Sequence, residues 1–170
     1  DKYWMSNVAN IEGLHSILYH EKLLSVIDTI VGENRRFVGH DSVSFNYSVP
    51  GHHDDQNTHN KFLSEETYPD DFSTCRVLFY LSDKTSLPQR FGFVPKTHLR
   101  EGKAIDYNHA KSNTCWIDVS HGSVVFFDPR LIHTSSALSH TKRMVVCTFD
   151  NESEYTKKVF FLTSESRKQG

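Results

Sequence analysis

The stretch GSVVFFDPRLIHTSSALSHTKRMVVCTF, residues 122–149, decides the fold. A short β run, SVVFF, leads through the turn Asp128-Pro129 to a lone imidazole at His133, and a second β run, RMVVCTF, opens on Arg143. From Arg143 the alternate positions Val145, Cys147 and Phe149 are apolar, so a strand here puts the arginine on the face of a buried row. A buried guanidinium is costly without an anion beside it, and the neighbouring sequence offers no obvious carboxylate mate. A carboxylate on a ligand would fill that role, held through two parallel hydrogen bonds. The competing reading is a structural ion pair with a distant Asp or Glu.

Working outward, the same pattern recurs along most of the chain. DSVSFNYSV at 41–49, CRVLFYL at 75–81, RFGFV at 90–94, CWIDV at 115–119 and KVFFL at 158–162 are short β runs set apart by turn residues, with no helical period between them. Many short strands of this kind point to a sandwich or jelly roll rather than to βαβ units. Helix is expected only over about 9–32. In EKLLSVIDTIVG, Leu23, Leu24, Ile27, Ile30 and Val31 repeat at three and four with Gly32 as the stop, and IEGLHSILYH before it reads as a shorter turn of helix. The expected architecture is mainly β: a double-stranded β-helix (jelly roll, cupin-like) with one or two N-terminal helices, forming one domain over 1–170. The polar stretch from about 56 to 73 has the length of a functional loop.

A second constellation is GHHDDQ, residues 51–56, directly after the first β run. In that run Val43, Phe45, Tyr47 and Val49 alternate with polar residues, and extending their phase puts His53 and Asp55 on the inner face. An imidazole and a carboxylate two residues apart on a strand point the same way, as a shared metal ion requires. His52 and Asp54 have the same spacing in the opposite phase, and Pro50-Gly51 can slip the register by one. A polar turn with hydrated carboxylates is the plainer reading of the string taken alone.

Taken together, His53, Asp55 and His133 give two imidazoles and one carboxylate on an all-β scaffold, with Arg143 as an internal cation. That facial set leaves coordination positions open and selects non-haem ferrous iron used for oxygen chemistry.

Composition narrows the partners. Lys and Arg total 19 against 21 Asp and Glu, a net charge of −2, which gives no footprint for nucleic acid or an anionic membrane and favours a small-molecule substrate. The three cysteines, Cys75, Cys115 and Cys147, form no CxxC pair and fit a reducing cytoplasm. No apolar run is long enough to span a bilayer, and the start, DKYWMSNVANIEG, has no basic segment followed by an apolar one. The 11 His residues form no tract; His15, His20, His40, His59, His109, His121 and His140 read as surface residues, with His59 the one to watch.

At this point the sequence resembles the phytanoyl-CoA dioxygenase-like (PhyH) branch of the iron and 2-oxoglutarate-dependent oxygenases, over roughly Leu23 to Asp150. The HxD element matches His53 and Asp55, GSVVFFDPRLIHTSS resembles the distal-His segment, and Arg143 falls where the family keeps its 2-oxoglutarate arginine. RFGFVPKTH resembles an architectural turn in which Lys96 replaces the usual Gly. The resemblance implies Fe(II) held by His53, Asp55 and His133, with Arg143 and Ser135 holding the 5-carboxylate of 2-oxoglutarate. It implies O2-dependent hydroxylation of a small molecule with release of succinate and CO2. Related halogenases lack the HxD carboxylate, so Asp55 favours hydroxylation.

Two rival readings use the same fold. A cupin-like metal enzyme that does not use 2-oxoglutarate would keep the metal ligands and need no Arg143. A non-catalytic jelly-roll binding module would retain no iron. A His-Asp hydrolase is disfavoured because that scaffold is helical.

Overall fold

The computed structural model describes residues 3–6, 11–38, 42–45, 68–81, 89–99, 107–135 and 143–158. Two helices come early, α1 (Glu12–Leu18) and α2 (Glu21–Val31). The His20 Nδ1 accepts the Lys22 N–H at 3.2 Å as an N-terminal cap. Gly32 ends α2 at φ 89°, a left-handed conformation open to glycine, and its N–H donates to the Asp28 carbonyl at 3.0 Å. Both helices fall where the apolar spacing predicts them.

The strands are β1 (Tyr3–Ser6), β2 (Arg35–Phe37), β3 (Ser42–Phe45), β4 (Thr74–Tyr80), β5 (Gln89–Phe93), β6 (Cys115–Val119), β7 (Val124–Phe127), β8 (His133–Ser135) and β9 (Arg143–Asn151). All pairings are antiparallel. The larger sheet runs β1-β3-β9-β4-β7, with β2 pairing the far end of β9, and the smaller runs β6-β5-β8. The chain therefore crosses from one sheet to the other between β7 and β8, and back again between β8 and β9. The mainly β, jelly-roll-like architecture with N-terminal helices agrees with the sequence reading.

Two cores explain the burial pattern. On one face of the larger sheet, Cys75, Val77, Phe79, Val145, Cys147 and Phe149 pack against Leu18, Leu23, Ile27 and Val31 of the helices. On the other face, Leu78, Tyr80, Val125, Phe127 and Val146 pack with Phe91 and Val119 of the smaller sheet. With both faces covered, all seven residues of β4 are buried, which is why CRVLFYL reads as a run without clean alternation. On the outer face of the smaller sheet, Gly92 admits the Trp116 ring: a Cβ there would meet Trp116 Cζ3 at 2.9 Å. The Arg90 guanidinium covers the same ring, 5.1 Å from its centre.

Several elements depart from the expected list. A short helix, α3 (Tyr107–Ser112), interrupts the β region where no helical period was read, and six residues are too few to display one. β2 and β8, three residues each, carry no readable alternation and are held by their partners β9 and β5. The expected strand KVFFL lies outside the described residues apart from Lys158, which ends a short helix at 154–158.

Candidate metal centre

His133 opens β8 as the register partner of Phe93, and it is buried at 7% exposure. Its ring stands edge-on to Phe127, centre to centre 4.7 Å, and lies 6.1 Å from Phe91. The Nδ1 is 2.8 Å from the Leu131 carbonyl oxygen. A carbonyl can only accept, so Nδ1 carries a proton and donates it here, the main-chain contact that orients the ring of a histidine metal ligand.

The backbone before His133 is held from two sides. The Ile132 N–H donates to the Thr97 hydroxyl at 2.9 Å, and that hydroxyl donates to the Val94 carbonyl at 2.8 Å. The Val94 N–H in turn donates to the Ile132 carbonyl at 2.9 Å. The VPKTH turn, expected to be architectural, thus clamps the histidine segment. Lys96 in this turn adopts φ 65°, so the lysine sits in the left-handed conformation that a glycine would occupy at less cost. On the other side Asp128 grips Arg130, whose Nη2 is 2.6 Å from Oδ2, and Arg130 in turn covers the rings of Tyr68 and Phe72.

Ser135 is the register partner of Phe91, so it shares the inner face of the smaller sheet with His133. His53 and Asp55, like His52 and Asp54, lie outside the described residues. The backbone of β3 bears on the choice between the two pairs. Ser42 and Ser44 occupy the register rows of Val146 and Met144, whereas Val43 and Phe45 occupy those of Val145 and Arg143. The rows of Val146 and Met144 face the barrel and that of Val145 faces the helices. The phase taken from the apolar positions of β3 therefore gives no support to His53 over His52.

Arg143 requires a correction. Its alternation partners Val145, Cys147 and Phe149 are buried as expected, but against the helices rather than inside the barrel, and Arg143 itself is exposed. The inference from its burial to a ligand carboxylate does not hold, because strand alternation cannot tell which of two covered faces is the barrel.

The barrel face of β4 carries two polar groups, Arg76 and Tyr80, that the unbroken run CRVLFYL does not assign to either face. Arg76 is 7% exposed, is the register partner of both Phe127 and Thr148, and donates from Nε to the Thr148 hydroxyl at 3.0 Å. Burial pulls its guanidinium down to about 10, and Asp150 opposes this. Burial likewise pushes the Asp150 carboxyl up to about 6, against the Thr74 hydroxyl, Arg76 and Arg130. Tyr80, at the far end of β4, is 1% exposed. A charged residue inside an otherwise apolar run, CRVLFYL, was the available signal.

A family profile described as phytanoyl-CoA dioxygenase (PhyH) matches residues 8–145. The chain belongs to this family. No curated protein sequence matches this PhyH-family chain. Among solved structures it is similar to EvdMO1, with TM-score 0.66 and 18% identity over 89% of this chain and 36% of that one. It is also similar to HygX from Streptomyces hygroscopicus, a structure with nickel and 2-oxoglutarate bound, with TM-score 0.62 and 12% identity over 91% of this chain and 71% of that one. A third is SnoN, a non-haem α-ketoglutarate-dependent epimerase from nogalamycin biosynthesis, with TM-score 0.64 and 17% identity over 87% of this chain and 60% of that one. At these identities the likeness establishes a shared PhyH-type fold, and the chain spans only about a third of EvdMO1.

Proposed function

We propose that the protein is an Fe(II)- and 2-oxoglutarate-dependent dioxygenase that hydroxylates a small-molecule substrate with release of succinate and CO2. The observation that carries this reading is His133: a buried imidazole whose Nδ1 is committed to a main-chain carbonyl, on the strand where the PhyH family keeps its distal metal ligand. That donor fits a ferrous ion, for which imidazole is a suitable ligand. His53 and Asp55 would complete the ligand set, with Ser135 toward the 5-carboxylate of the cosubstrate; Arg143, at the exposed start of β9, is the residue that the family resemblance assigns to the same carboxylate. Iron and 2-oxoglutarate, when bound, supply the O2-activating chemistry.

The chain's own part is to hold and to exclude. The Leu131 carbonyl fixes the His133 ring, Thr97 fixes the segment it sits on, and Phe91 and Phe127 wall the imidazole off from water. A substrate close to His133 would meet an aromatic and largely apolar wall, so orientation falls to a few polar groups. Because a similar fold serves an epimerase, the outcome of the oxidation is set by the site and has to be read from product.

One observation favours a second reading. Arg143 is exposed, and a cupin-like metal enzyme that does not use 2-oxoglutarate would have no need of it. The two are separated by oxygen-dependent succinate formation from 2-oxoglutarate by iron-loaded protein, in the parent, His53→Ala and His52→Ala. Succinate from the parent, lost in one of the two histidine variants and kept in the other, supports the dioxygenase and assigns the register. Iron binding without 2-oxoglutarate consumption moves the protein to the second reading.

A further inference from the structure

The inner face of the larger sheet changes character at one row of its register. Leu78, Val125 and Val146 make an apolar row that belongs to the barrel cluster. In the next row Arg76 lies between Thr148 and Phe127, and the Phe127 ring is the one that meets the His133 imidazole at 4.7 Å. The row beyond pairs Thr74 with Asp150. Thr74, Arg76, Thr148 and Asp150 are all buried, so a polar stretch of barrel wall begins beside the ring that touches His133.

Asp150 is incompletely bonded. The Thr74 hydroxyl bonds its carboxyl, but Oδ1 is buried with no hydrogen-bond partner among the described residues. An ion pair built for stability alone would join that oxygen to Arg76, whereas the Arg76 Nε donates to the Thr148 hydroxyl at 3.0 Å. A buried acceptor left unmet is a standing cost, and such groups call for an explanation. Burial pushes the carboxyl up to about 6, so at pH 7.5 it is ionised and can only accept. The missing partner is therefore a donor. Charge selects its kind. Among the described residues, the charged groups acting on Asp150 are Arg76, Arg130 and Asp128, and Arg130 is already gripped by Asp128 through Nη2 at 2.6 Å and Nε at 3.0 Å. Arg76 and Asp150 then balance each other, so an entering ammonium or carboxylate would leave a charge in excess, and a neutral hydroxyl would not.

Resting on the dioxygenase reading, we propose that Asp150 and Arg76 form a substrate subsite for a neutral, polyhydroxylated molecule, with Asp150 Oδ1 accepting a hydrogen bond from one of its hydroxyls. The subsite lies along the wall from Phe127, so a substrate held there is oriented beside His133. A charge-assisted hydrogen bond replaces an unmet one when the hydroxyl arrives, and the cost carried by the free protein is recovered as affinity.

The test is calorimetric binding of three probes with the same six-membered ring, myo-inositol, cyclohexylammonium and cyclohexanecarboxylate, to the iron(II)-loaded protein under argon with 2-oxoglutarate present. The parent is expected to bind myo-inositol, and each charged probe at least about tenfold more weakly. Asp150→Asn, which keeps the shape and removes the charge, should bind myo-inositol about tenfold more weakly than the parent. It also leaves Arg76 uncompensated, so cyclohexanecarboxylate should bind the variant more tightly than the parent, a reversal that a purely structural role for Asp150 would not produce. No binding of myo-inositol by the parent, or a parent that prefers a charged probe, would overturn the proposal whether or not the variant folds. Equal myo-inositol affinity in the parent and a folded variant would overturn it too. Failure of the iron-loaded parent to consume 2-oxoglutarate would instead remove the dioxygenase reading, and with it the subsite's role in holding a substrate.

Discussion

The Thr97 hydroxyl and the Ile132 main-chain N–H are 2.9 Å apart, and this bond fixes the residue immediately before the buried imidazole of His133. Thr97 is on the 3₁₀ turn Thr97–Leu99 that follows β5, so two segments distant in sequence set the position of the imidazole together. Replacing Thr97 with valine keeps the shape and leaves the buried Ile132 N–H unmet. The expected result is a loss of about 1–3 kcal/mol in stability. Metal affinity should fall by about tenfold or more, as is usual when a ligand's support is removed. Chemical denaturation and metal titration of Thr97→Val check both, and unchanged metal affinity would mean the clamp does not set the ligand.

Asp150 should make stability depend on pH in a direction opposite to that of most carboxylates. Burial pushes it up to about 6, so the folded protein holds the proton more tightly than the unfolded chain, where the group titrates at about 3.9. Its contribution is present below about pH 4 and is lost as pH rises through about 6. The parent, compared with Asp150→Asn, should lose on the order of 2 kcal/mol between about pH 4.5 and about pH 7.5. Any penalty from depriving Arg76 of a nearby carboxylate enters the variant at all pH values, so the change in the difference is what counts. Parallel melting curves across that range would contradict the assignment.

Lys96 at φ 65° is expected to be a weak point of the turn beside His133. Lys96→Gly removes the left-handed strain and should stabilise the fold by up to about 1 kcal/mol, net of the added freedom of the unfolded chain. Lys96→Ala, which keeps a Cβ, should not. Equal effects of the two would show that the turn is not strained.

The cysteines should divide by reactivity. Cys115 on β6 is exposed, whereas Cys75 and Cys147 are buried between the larger sheet and the helices. Burial pushes the Cys75 thiol up to about 12, Asp128 adding to the effect. A thiol reagent should label Cys115 rapidly in the native protein and reach the other two only on unfolding. Rapid labelling of all three would contradict the burial of the helix-covered face.

Residue by residue, legibility followed the number of faces each element buries. The helices could be read because α2 buries one stripe, Leu23, Ile27 and Val31, and leaves Val26 and Ile30 exposed. CWIDV and SVVFF could be placed as strands by composition and turns. The identity of the faces could not be read. β4 and β9 are covered by helices on one side and by the second sheet on the other, so apolar alternation marks two interiors alike. That ambiguity misled the reading of Arg143 and hid Arg76 and Tyr80. His133 is legible because a single imidazole follows a β run and a turn, while the orientation of its ring depends on Leu131 and its position on Thr97, contacts that no local pattern announces.

The account turns on His133 as a metal ligand, and the most direct test is equilibrium binding of ferrous iron under argon by the parent and by His133→Ala, with circular dichroism confirming the fold of both. The expected result is about one iron bound per parent chain, with affinity in the variant lowered by at least about a hundredfold. Equal iron binding by the two folded proteins would show that the centre, if present, is built elsewhere, and the assignment of this barrel's interior would be wrong.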